Sequence, residues 1–94
     1  MDQLSKMISL LTEILSEPEK RKRSVQIFQE EVWQGRAVFN EKWVEEMLSD
    51  LAYDLDYYES EPSRCQEDST LYGDDKLEIE VRRVLAKMKE FSRL

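Results

Sequence analysis

The sequence predicts an all-α fold: one domain spanning residues 1–94, built as an antiparallel four-helix bundle. Three observations predict it. Apolar residues recur at helical spacing in four separate stretches. Two glycines and two prolines are too few for a turn-rich β protein. The connections between the apolar stripes are short, which favours antiparallel neighbours.

Leu4, Met7, Ile8, Leu11, Ile14 and Leu15 fall on one face and predict a first helix over 2–16. The stretch SEPEKRKRS follows. Ser16 and Glu19 have capping-box spacing, and Pro18 suits a first helical turn. A second helix is therefore expected over 17–34, with Val25, Phe28 and Val32 inward and Gly35 as its stop. The basic run Lys20–Arg23 reads as a solvated face of that helix.

Asn40 can cap a third helix, with Phe39 and Val44 in the two staple positions around it. Val44, Met47, Leu48, Leu51, Leu55 and Tyr58 then line one face, predicting a helix over 41–59. Pro62 bars its continuation. Residues 60–74 have no period and read as an acidic loop. Asp75 and Glu78 again have capping-box spacing. Leu77, Val81, Val84, Leu85, Met88 and Phe91 make the fourth stripe, over 75–92. Glu78 and Arg82 are a supporting i,i+4 pair, and Lys87, Lys89 and Arg93 suit the C-terminal end of the helix dipole.

Composition narrows the function. There is no histidine, so histidine-dependent triads, histidine zinc sites and a histidine general base are excluded. Two glycines cannot make a Walker or dinucleotide loop. The single cysteine, Cys65, has no partner for an internal disulfide, which fits a reducing cytoplasm. No apolar window is long enough to span a membrane, and Asp2 stands where a signal peptide wants positive charge. The net charge of −7 disfavours nucleic acid and anionic membrane as direct partners and favours a basic protein.

That charge is concentrated. Residues 50–75 hold nine acids and one base, whereas residues 81–94 hold five bases and one acid. Within DLAYDLDYYESE, residues 50–61, five carboxylates sit among three tyrosines. Glu46, Asp50 and Asp54 are like charges at i,i+4, each pair costing about 0.2–0.5 kcal/mol, and late acids oppose the helix dipole. Tyrosine beside carboxylate makes a good protein-binding surface, because ring area anchors and charge steers. A plainer reading has the acids keep the surface hydrated while the tyrosines lean on the core.

Three further motifs are weak. Asp54-x-Asp56 points its carboxylates in different directions on a helix, and Glu59 stands where an EF-hand needs glycine. Tyr72–Asp75, YGDD, echoes a polymerase tetrapeptide in a chain too short for a polymerase; it reads as a turn and a helix cap. Glu30 and Glu31 match half of the magnesium motif of small helical pyrophosphohydrolases, but Ser49 and Met47 stand where the second half needs an acid. No catalytic residue, metal ion or cofactor is expected.

Asp56–Arg64, DYYESEPSR, an acidic loop and then Asp74–Met88, DDKLEIEVRRVLAKM, resemble the immunity proteins of the colicin D type. The immunity proteins of contact-dependent inhibition systems look similar. The resemblance covers roughly residues 50–90. It implies a four-helix bundle that binds, 1:1, the basic nuclease domain of a cognate tRNA-cleaving toxin. On this reading Asp50, Asp54, Asp56, Glu59 and Glu61 stand in for phosphates. Tyr53 and Tyr57 are packing anchors, and Glu67, Asp68, Asp74 and Asp75 form the rim. The alternative is an acidic helical adaptor or antitoxin whose basic partner is not a tRNase.

Overall fold

The computed structural model describes residues 3–35, 39, 41–59 and 61–93. Four long helices carry the core: α1 (Gln3–Ser16), α2 (Arg21–Trp33), α3 (Lys42–Leu55) and α5 (Asp74–Ser92). A short α4 (Pro62–Glu67) lies in the α3–α5 connection, and a 3₁₀ turn (Pro18–Lys20) leads into α2. The protein is an all-α bundle, as its periodicity predicts.

The four long helices close a ring. α1 packs on α2 and α5, and α3 packs on the same two. Lys6 of α1 pairs with Glu31 of α2 at 3.1 Å, so the start of one lies beside the end of the other. Trp43 at the start of α3 packs edge-on against Phe91 at the end of α5. These neighbours are therefore antiparallel. α2 meets the C-terminal half of α3: Gln29 Nε2 donates to the Ala52 carbonyl at 3.0 Å, and Trp33 rests on Tyr53. The start of α3 lies along the end of α5, and the molecule is elongated, 42 × 22 × 19 Å.

The core follows the stripes. Met7, Leu11 and Ile14 of α1 meet Phe28 of α2, Val44, Leu48 and Leu55 of α3, and Leu77, Val81 and Met88 of α5, all buried. Burying each such side chain contributes about 1.5–3 kcal/mol relative to exposure. α2 has the weakest stripe, yet Ser24, Gln29 and Glu31 are buried in it beside Val25 and Phe28.

Helix boundaries differ from the sequence reading in four places. The capping box of Ser16 and Glu19 does not form; the chain makes a 3₁₀ turn at Pro18 and α2 begins at Arg21. α3 is α-helical to Leu55, not to 59. Its last residues tighten into i→i+3 bonds, Asp56 N–H to the Tyr53 carbonyl, Tyr57 N–H to Asp54 and Tyr58 N–H to Leu55. The backbone beyond is then taken by Tyr72, whose N–H donates to the Tyr57 carbonyl at 3.0 Å and whose carbonyl accepts from Glu59 N–H at 2.9 Å. The expected loop 60–74 contains α4, because Pro62 at a first helical position starts a new helix as readily as it ends an old one. Finally, α5 begins at Asp74 behind Gly73, and Asp75 makes no capping bond. Asn40 and its cap lie outside the described residues. Phe39 packs on Phe91, and its N–H donates to Glu45 Oε1 at 2.8 Å. Gly35 does end α2, at φ +72°.

Candidate partner-binding face

One buried base organises the end of the bundle where the acids gather. Arg21 is only 2 % exposed. Its Nε donates to the Ile14 carbonyl at 2.8 Å and an Nη to the Leu15 carbonyl at 3.3 Å, satisfying the C-terminal end of α1. Its other Nη donates to Asp74 Oδ1 at 2.9 Å, at the start of α5. The Tyr58 hydroxyl donates to the same oxygen at 2.7 Å, which ties in the end of α3. The reading of Lys20–Arg23 as one solvated face is thus corrected: Lys20, Lys22 and Arg23 are exposed, but Arg21 points inward. Local pattern could not reveal this, because the partners of Arg21 come from the end of α1 and the start of α5, the latter far away in sequence.

These contacts set the local proton affinities. The Tyr58 hydrogen bond, then Arg21, holds the Asp74 carboxyl below the usual carboxylate range. Burial, then the bond to Asp74, pushes the Tyr58 hydroxyl above the usual tyrosine range. Tyr72 is raised in the same way, by burial and then by Asp54, whose backbone carbonyl (2.7 Å) and Oδ2 (3.1 Å) both accept from its hydroxyl.

The acids expected to bind a partner divide into two groups. Asp54, Glu59, Asp68 and Asp74 have internal contacts. Asp54 holds Tyr72, Glu59 lies 3.8 Å from Arg64, Asp68 accepts from Thr70, and Asp74 holds Arg21 and Tyr58. The Thr70 contacts keep Asp68 below its usual range. Asp50, Asp56, Glu61, Glu67 and Asp75 are exposed, and among the described residues no base pairs with them. Asp50 lies mid-helix on α3, Asp56 at its end, Glu61 just before α4, Glu67 at the end of α4 and Asp75 in the first turn of α5. Among the described residues no contact ties Glu67 to the α3 surface.

The tyrosines divide likewise. Tyr53 and Tyr57 are 63 % and 51 % exposed, whereas Tyr58 is half-buried with the core. Tyr53 is not alone: its ring lies 5.8 Å from that of Trp33, which is itself 47 % exposed. Trp43, 45 % exposed, stands near the other end of α3. The outward face of α3 is therefore an acidic ridge with exposed aromatic rings beside it.

Beside this ridge runs an open groove of about 530 Å³ between α3 and α5. Met47, Leu51 and Val84 give it an apolar floor. Glu46, Asp50 and Asp54 from α3 and Glu80 from α5 form acidic walls, and Trp43 and Lys87 also line it. Sequence reading missed Trp43 and Glu80. Trp43, Met47, Asp50 and Asp54 are spaced by four, three and four, so the α3 wall was there to be found as a second helical stripe beside the core stripe. Glu80 joins it only through tertiary packing.

Among the described residues no three acids or cysteines converge so that they could hold a metal ion, and no helix is long and apolar enough to cross a membrane. Comparison with protein-family models, curated proteins and solved structures finds no match to this chain.

Proposed function

We propose that this chain is an inhibitor that binds one basic protein partner through the outward face of α3 and the connection that follows it. The observation that carries the reading is the charge pairing of residues 50–75. Of nine acids there, only Glu59 and Asp74 form ion pairs among the described residues, although the chain has 14 bases. Unpaired acids at i,i+4 spacing work against the helix that bears them, so their presence favours a role outside the fold. Exposed rings beside them supply contact area with little conformational freedom to lose.

The resemblance to colicin D-type immunity proteins names the class of partner: a toxin nuclease that cleaves tRNA, held inactive in the cytoplasm. A nuclease cleft must be basic to hold RNA. Asp50, Asp56 and Glu61, placed over such a cleft, occupy sites that phosphates would take, and Tyr53 and Tyr57 pack against its walls. Complementary charge speeds the encounter toward about 10⁸–10⁹ M⁻¹s⁻¹ at low salt. Neutralising a lethal enzyme calls for nanomolar affinity, about −12 kcal/mol.

The test is co-expression with the protein encoded beside it. The reading expects co-purification and suppressed tRNA cleavage in cells. It expects Asp50→Lys with Asp56→Lys to abolish protection while leaving the helical circular dichroism unchanged. Full protection by that double variant would overturn the assignment. Binding to a DNA-binding protein, with no effect on RNA cleavage, would favour the adaptor reading.

A further inference from the structure

The α3–α5 groove differs in kind from the acidic ridge, whose Asp50 and Asp54 form part of the groove wall. It is concave, its floor is apolar and its walls are charged. Trp43 and Lys87 mark one end, and Asp54 and Glu80 the other. Trp43 to Asp54 is eleven residues of α3, or about 16 Å at 1.5 Å per residue, the length of three helical turns. The floor is formed by the outer edges of Leu51 and Val84, which otherwise belong to the core, and by half-buried Met47. A methionine there can adapt its shape to an occupant.

The charges are uneven along this channel: Glu46 offsets Lys87 at the Trp43 end, whereas Asp50, Asp54 and Glu80 leave the other end acidic. Among the described residues Asp50 has no ion pair, and Asp54 holds only the Tyr72 hydroxyl. Glu46 and Glu80 touch only exposed bases of their own helices, Lys42 at 4.0 Å and Arg83 at 3.7 Å, contacts that water screens. Lys87, exposed and without an ion pair among the described residues, closes the opposite end. Next to it, Trp43, Lys87, Glu90 and Phe91 line a smaller, mainly apolar hollow that continues the groove. A three-turn open channel with an apolar floor and acid walls matches an amphipathic basic helix, read through i, i+3, i+4 and i+7 anchors.

We propose that this groove seats a basic amphipathic helix of the partner, a proposal that rests on the reading of the partner as a basic protein. The helix lays its apolar stripe on Met47, Leu51 and Val84. Its arginines flank the stripe and pair with Asp50, Asp54 and Glu80, where the planar guanidinium can bind carboxylate bidentately. Charge also fixes direction. The positive N-terminal end of the helix lies at Asp54 and Glu80, and its negative C-terminal end at Lys87. The occupant runs antiparallel to α3.

The test uses the intact protein and a synthetic 14-residue helical peptide with leucines at i, i+3, i+4 and i+7 and arginines flanking them in its N-terminal half. The control is a scrambled peptide of the same composition. Two-dimensional ¹H–¹⁵N NMR should show peptide-induced shifts at Met47, Leu51, Val84 and the Trp43 indole. Asp50→Lys with Glu80→Lys should weaken binding at least ten-fold, and Glu61→Lys with Asp75→Lys less than three-fold. A spin label should broaden Asp54 when on the peptide N-terminus and Lys87 when on its C-terminus. Equal binding of the scrambled peptide, or shifts confined to other surfaces, would overturn the proposal. So would concentration-dependent shifts at the groove without peptide, which would assign it to a second copy of the chain. A cognate partner bound normally by Glu80→Lys with Lys87→Glu, residues of the groove outside the acidic ridge, would sink the groove alone. Peptide in the groove with no basic partner inhibited would sink the functional reading alone.

Discussion

Replacing Arg21 by methionine isolates the contact that joins three helices. The side chain is buried, and it makes hydrogen bonds to the Ile14 carbonyl, the Leu15 carbonyl and Asp74. A hydrogen bond involving a charged group contributes about 1.5–3 kcal/mol. The short bond to Ile14 therefore amounts to about 1.5–3 kcal/mol, the longer Leu15 bond and the screened Asp74 contact add about 1 kcal/mol each, and methionine recovers part of this by filling the space. The net loss should be about 3 kcal/mol, within the range for breaking a buried charge contact. For a domain of this size that corresponds to a fall in Tm of about 12–24 °C. Asp74→Asn is the internal control. The Asp74 side chain is half-exposed, so water screens its charge, and the cost should be no more than about 1 kcal/mol. Urea unfolding followed by circular dichroism measures both. A loss below about 1 kcal/mol in Arg21→Met, or equal losses in the two variants, would refute the claim that the α1 carbonyls, more than the ion pair, hold Arg21 in place.

Asp50→Lys converts two like-charge pairs, with Glu46 and Asp54, into attractive ones. It should stabilise the fold by roughly 0.5–1 kcal/mol while weakening partner binding, checked by urea unfolding beside a pull-down; destabilisation would mean Asp50 supports the fold. The Asp74 carboxyl titrates below its unfolded value of about 3.9, so its contribution is present above that pH and disappears as pH falls through the folded value. The wild type should thus lose Tm between pH 4 and 2 more steeply than Asp74→Asn. Tyr58 and Tyr72 are shifted the opposite way, so their contribution is complete below about pH 10 and is lost as pH rises further. Absorbance at 295 nm should show them ionising together with alkaline unfolding. Gly35→Ala should cost about 1 kcal/mol because its φ is positive, whereas Gly73→Ala, with nothing near an added Cβ, should change Tm little.

The stripes of α1, α3 and α5 were legible because local spacing alone sorts Met7, Leu11 and Ile14, or Leu77, Val81 and Met88, onto one face. Arg21 was not, since three exposed bases surround it in the chain and its partners are distant in sequence. The early end of α3 was hidden for a similar reason: a backbone pairing with Tyr72, fourteen residues beyond Tyr58, decides it. The acidic ridge was visible as a conflict between charge and helix. Its aromatic companions were not, because Trp33 reaches Tyr53 across two helices. The groove emerges only when Glu80 is brought beside Asp50 and Asp54.

The central claim is that unpaired acids on the α3 face replace phosphates in a basic nuclease cleft. It is tested most directly by titrating the basic nuclease proposed as partner with the purified protein at several salt concentrations, reading tRNA cleavage. Stoichiometric 1:1 inhibition with nanomolar Kd is expected, weakening steadily as salt rises, with loss of inhibition in the folded Asp50→Lys, Asp56→Lys, Glu61→Lys triple variant. Inhibition that is indifferent to salt and fully retained by the triple variant would contradict it.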